Sequence, residues 1–198
     1  MALQSSVNLY PSGAVAGDRA GQNPIVYTPI NFIAAAAVTV GTFVWRDTTY
    51  TNQAKNVGTG APLGFVERVL DNYSYTIDTD GSLIVPQYGQ LTVARRGDFY
   101  ITADATATIG APVYANTTTG AATLTGGAST VDTGYVVVTA GASGDLVIVS
   151  NWDSVSSSNI SGVLPITKGG TGLSALGTAG QVLTVNSNAD AAEWATNA

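Results

Sequence analysis

The stretch Ala37–Thr49, AVTVGTFVWRDTT, decides how this chain is read, because it has a second copy. Thr106–Thr118 reads TATIGAPVYANTT, which sets Gly41 on Gly110, Val44 on Val113, Trp45 on Tyr114 and Asp47 on Asn116. Further along, Leu63–Glu67 (LGFVE) aligns with Thr133–Val137 (TGYVV), placing Gly64 on Gly134. Each copy is a short β-branched or aromatic run entered through a glycine. That pattern belongs to strands, with Gly41 and Gly110 at positions where a positive φ or a close backbone approach excludes a side chain. Two long copies point to a pseudo-symmetric barrel, since a solenoid needs three or more units.

The region 30–153 is strand after strand. LGFVERV, SLIVP, QLTVARR, FYITA and DLVIVSNW are separated by Gly, Asn, Asp or Pro, as in an all-β sandwich or barrel. Asp80-Gly81, between YSYTI and SLIVP, predicts a tight hairpin turn. The alanine run in Asn31–Val38 has helical propensity, but β-branched residues follow it and no C-cap closes it. It is read as strand or short turn.

The region 1–29 has no sustained period and carries Pro11, Pro24 and Pro29. Proline forbids helix continuation, so this is an extended arm with little surface of its own to bury, expected to be ordered only where it lies on something else. At the other end, 154–162 is a serine-rich linker, and a small-residue tail, 163–198, follows it.

Composition narrows the function. The chain has 198 residues, a net charge of -6, no His and no Cys. Without His or Cys, the Ser/His/Asp and Cys/His nucleophile systems and the commonest metal ligand are gone. Paired carboxylates could still run glycoside hydrolysis, and the acids that sit close in sequence are Asp78 and Asp80. Their DTDG echoes the start of a calcium loop, but the closing Glu ligand is absent, so the segment reads as a turn. Gly170-Thr171-Gly172 with Ala175 fits the dinucleotide fingerprint only on paper. Pro165 interrupts the preceding strand and Gly177 stops the candidate helix, so the glycines serve a sharp turn or close approach of identical chains. No enzyme activity, cofactor or metal is expected.

No basic face suits nucleic acid. No apolar run is long enough to cross a bilayer as a helix, and the N-terminus lacks the features of a signal peptide. A soluble chain is predicted. Arg95-Arg96 closes a strand and reads as a solvated strand end, with docking on an acidic partner as the alternative. Trp45 reads as core and Trp152 as a cap on the barrel. Trp194 sits among small residues, where only a partner or another copy of the chain can bury it.

The runs VAGDRAGQNP, VTVGTFVWRD, APLGFVERV, IGAPVYANTTTG, DTGYVVVTA and GDLVIVSNW resemble the structural cement proteins that decorate tailed-phage capsids. Ile160–Trp194 resembles a segment of phage tail fibres, in which a Gly-Gly-Thr-Gly turn precedes a GQVLTVN strand and a late Trp. The resemblance implies a non-enzymatic homotrimer on the outer surface of a virion, bound to the major capsid protein. The fold it implies is a small β-barrel or β-sandwich with an extended N-terminal arm and a fibre-like tail. On that basis Leu9, Tyr10, Val15, Asp18, Arg19, Ile25 and Tyr27 are expected as capsid contacts, and Gly170, Gly172, Leu183 and Trp194 as trimer contacts. A virion fibre whose aromatics bind a host receptor or surface glycan is the alternative.

Overall fold

The computed structural model describes residues 13–69, 75–77, 82–152, 178–185, 187–188 and 191–196. No helix occurs among the described residues. The strands are β1 (Val26–Tyr27), β2 (Phe32–Ala34), β3 (Val38–Thr39), β4 (Phe43–Arg46), β5 (Gln53–Lys55), β6 (Gly64–Val66), β7 (Thr76–Ile77), β8 (Leu83–Val85), β9 (Gln90–Leu91), β10 (Val93–Arg96), β11 (Asp98–Thr102), β12 (Pro112–Asn116), β13 (Ala122–Thr123), β14 (Thr130–Val137), β15 (Leu146–Ser150), β16 (Gln181–Val185) and β17 (Ala192–Thr196). The chain divides into two units, Met1–Ser154 and Val155–Ala198.

In the first unit a seven-stranded sheet runs β1-β10-β6-β4-β5-β2-β9. Only Thr92 separates β9, at one end of that order, from β10, next to the other end. The sheet therefore curls into a nearly closed barrel. Phe32, Ala34, Val44, Ala54, Val66, Leu91 and Val93 form one core cluster, joined by Val38 and Val85 from the small sheet β3-β8-β7. A five-stranded sheet, β11-β15-β14-β12-β13, packs on the opposite face of the barrel wall. Its Phe99, Ile101, Val113, Tyr135 and Val149 meet Phe43, Trp45, Phe65 and Ala94.

This double burial explains the sequence. Successive strand side chains point to opposite faces. Phe43 and Trp45 enter one cluster while Val44 enters the other, and Phe65/Val66 and Ala94/Val93 divide in the same way. A wall buried on both faces needs unbroken apolar runs such as FVW and GFV, rather than alternation. Edge-to-face contact of Phe43 with Phe65 (ring centroids 5.2 Å apart) and with Tyr135 (5.6 Å) locks the two sheets together. The first unit is thus both a barrel and a sandwich, the barrel wall serving as one layer.

The repeat is physical. Gly41 and Gly110 have φ of 79° and 82°. Gly41 N–H donates to Val66 O and Gly110 N–H to Val137 O. Val44 and Val113 are fully buried. Asp47 accepts from the amides of Thr49 and Tyr50, and Asn116 from those of Thr118 and Thr119, so both close the same turn. One detail of the alignment is corrected: Val66 corresponds to Val137, one residue beyond the match that set Gly64 on Gly134. The cause is a bulge, where the register jumps from Val113↔Tyr135 to Tyr114↔Asp132 and Gly134 takes φ 74°.

Strands β7 and β8 pair antiparallel through Thr76↔Ile84 and Ile77↔Leu83, on either side of the predicted Asp80-Gly81 turn, which lies outside the described residues. The alanine run forms β2 and a bend before β3.

The N-terminal arm differs from its expectation. It is extended, but from Gly17 to Thr28 it lies on its own body. Gly17 N–H donates to Tyr100 O, Tyr100 N–H to Asp18 O and Ala20 N–H to Asp98 O, all at 2.9 Å, along the β11 edge. Beyond Pro24, β1 pairs with β10 and Thr28 N–H reaches Val93 O. A proline-rich chain cannot satisfy its amides in a helix, and an open sheet edge offers them partners. The segment therefore acts as a strap sewing both sheets together.

Candidate interaction surface

The strap is fastened by charge. Asp18 pairs with Arg68 at 2.9 Å, and Arg19 with Glu67 at 3.2 Å. Tyr27 completes the clasp, its hydroxyl accepting from Arg19 at 2.9 Å and donating to Glu67 at 2.7 Å. Glu67 is buried and Arg68 N–H donates to Gly17 O, so the anchoring strand end is held by backbone as well. Burial, and then the hydrogen bond to Glu67, push the Tyr27 phenol above its ordinary value.

The residues expected as capsid contacts thus occupy different places. Asp18 and Arg19 spend their charge on the body, Ile25 packs against the core shared by the two sheets, and Val15 is exposed. Tyr27 offers part of its ring to solvent while its hydroxyl stays in the clasp. Leu9 and Tyr10 lie outside the described residues. Glu67 and Arg68 were not anticipated as the strap's anchors. Their signal is the acidic-basic pair ending the apolar run LGFVERV, where a charge beside a core strand needs a partner.

In the second unit β16 and β17 form an antiparallel hairpin in which Leu183 faces Trp194 and Val185 faces Ala192. These four share one face of the ribbon by strand alternation. Leu183 and Val185 are exposed within the chain and Trp194 is half-buried. Gly170 and Gly172 lie outside the described residues, as do Asp78 and Asp80.

Aromatic side chains are distributed unevenly. Trp45 is buried and donates its Nε1–H to Gly60 O at 2.8 Å. Trp152 lies under the Arg96 guanidinium, 5.0 Å from carbon to ring centroid. Tyr50 and Tyr88 are well exposed. Tyr88 does so at φ 66°, the one non-glycine positive φ among the described residues. No group of three or more His, Cys, Asp or Glu is placed to hold a metal among the described residues.

A chain from the solved capsid of Myoviridae phage XM1 shares the fold, with a TM-score of 0.54 at 19% identity, covering 78% of this chain and 100% of that one. No curated protein matches. The XM1 gp53 minor capsid protein family matches residues 3–151, which take in the strap, the barrel and the five-stranded sheet. The match over most of the chain, across an all-β body strapped by its own residues 17–28, makes this chain a member of the XM1 gp53 minor capsid protein family, a phage capsid-associated family of virion structural proteins.

Proposed function

We propose that the chain decorates and cements the outer surface of a phage capsid as a homotrimer, bridging copies of the major capsid protein without catalysis. The family match over residues 3–151 carries this reading. The body supports it: two sheets share a core, and the strap ties them, so a neighbour can pull on the molecule without peeling its N-terminus. The hairpin supports the trimer. A lone two-stranded ribbon is marginal in water, and the Leu183, Val185 and Trp194 face supplies apolar area for a second and third copy to cover. Joining three weak capsid contacts in one particle raises avidity through effective concentration.

The test is co-sedimentation with purified empty capsids, alongside light scattering of the free chain. The expected results are binding, a raised capsid melting temperature and a trimer mass that Trp194→Ala reduces. A chain that stays monomeric with and without capsids sinks the trimer. The rival reading is a receptor- or glycan-binding fibre, in which the exposed Tyr50 and Tyr88 would stack on sugar. It predicts a positive glycan array and cell binding without capsids.

A further inference from the structure

One edge of the barrel combines three features that the strap does not account for. The first is an open strand: β1 ends the sheet order and has a neighbour, β10, on one side only among the described residues. An unpaired edge displays backbone groups ready for another strand. The second is exposed apolar surface on both faces of β1: Val26, 44% exposed, lies beside Arg95 and Arg96, while Tyr27 and Ile30, each 42% exposed, line a separate shallow groove with Gln90–Val93. The third is charge. Arg19, Lys55 and Arg68 each hold a carboxylate, and Arg46 lies over Phe32. Arg95 and Arg96 have no carboxylate partner among the described residues, and with Val26 and Asn151 they line a cleft of about 220 Å³.

That cleft is rigid. Asn151 accepts from Gly97 N–H at 3.0 Å and donates to Arg95 O at 2.8 Å, fixing the strand end. Trp152 lies against the Arg96 guanidinium, and both arginines are exposed. A guanidinium so held loses little freedom on meeting a carboxylate, and its planar fork fits one.

We infer that this edge docks an extended, carboxylate-bearing segment of a neighbouring capsid protein, which adds beside β1, lays an apolar side chain on Val26, and sets its acid against Arg95 and Arg96. Strand addition supplies main-chain hydrogen bonds, and Val26 and the arginines supply register. Local charge selects the occupant. A chain of net charge -6 repels a long polyanion such as nucleic acid, whereas a short acidic segment meets only the two guanidiniums. The inference rests on the capsid reading above.

The experiment compares full-length variants for co-sedimentation with purified capsids lacking this protein. Arg95→Ala/Arg96→Ala is expected to weaken binding about ten-fold or more at roughly 0.1 M salt, with the gap shrinking as salt rises. Ala128→Glu/Ala142→Glu changes net charge equally at exposed loop positions and is expected to bind as the unaltered protein does. Arg95→Ala alone, which leaves the Trp152 stack in place, guards against a folding defect and is checked by an unchanged melt. Equal binding by the arginine variants, or an equal loss in the control, overturns the inference. A photo-crosslinking residue at position 26 names the occupant: an acidic capsid-protein peptide supports the docking, while residues of this chain or nucleic acid refute it. If the unaltered protein does not bind capsids, the capsid reading falls first and the docking with it.

Discussion

Gly41 and Gly110 occupy equivalent places in the two copies of the repeat, with nearly equal φ, but different surroundings. A Cβ on Gly41 would sit 2.9 Å from the Ala16 carbonyl carbon, under the strap, whereas a Cβ on Gly110 would meet nothing within 4 Å. Gly110→Ala is therefore expected to cost about 1–2 kcal/mol, the strain of a left-handed alanine. Gly41→Ala should cost clearly more, because the strap must also move. Denaturant melts of the two variants check this, and equal costs would mean that the strap does not rest on Gly41. Asp47 and Asn116 make a second matched pair. The Lys55 ammonium, and then the Thr49 amide, hold the Asp47 carboxyl at about 2, below its ordinary 3.8. A folded value below the unfolded one means that its contribution is complete above about pH 4 and is lost as pH falls toward 2. Asp47→Asn keeps the turn, as Asn116 already does, and should flatten that part of the acid-stability curve. An unchanged acid limb would refute the assignment.

At the scale of elements, the strap is the feature with the clearest mechanical role. Glu67→Ala leaves Arg19 and Tyr27 without their shared acceptor and is expected to destabilise the protein by about 1–3 kcal/mol. Amides of residues 17–28 should exchange faster while those of β4 and β6 stay protected, since the barrel wall does not depend on the clasp. If exchange rises uniformly, the strap is not a separable element. High pH should act in the same direction. Tyr27 titrates above its unfolded value, so its contribution is intact below about pH 10 and is lost as pH climbs through the raised value. That the segment is extended was legible from Pro11, Pro24 and Pro29. What it lies on was not, because an open edge such as β11 exists only once both sheets are assembled.

At the scale of the whole molecule, stability is concentrated where the barrel wall meets the second sheet. Phe65 is fully buried there, in contact with Phe43, Phe99 and Tyr135. Phe65→Ala should cost about 3–5 kcal/mol, measured by thermal or denaturant melt, and would leave the sheets free to part. A loss under about 1 kcal/mol would mean that the sheets do not share one core. The all-β class, the two copies of the repeat, their paired glycines and the match of Asp47 to Asn116 were legible in the order of residues, because φ preference and strand alternation act over a few positions. The closing of the sheet through Thr92, the bulge at Gly134 that slides one copy against the other, the seating of the strap and the stacking of Arg96 on Trp152 were decided only in three dimensions. Each depends on which distant strands become neighbours, and that is set by filling two cores at once rather than by any local run of residues.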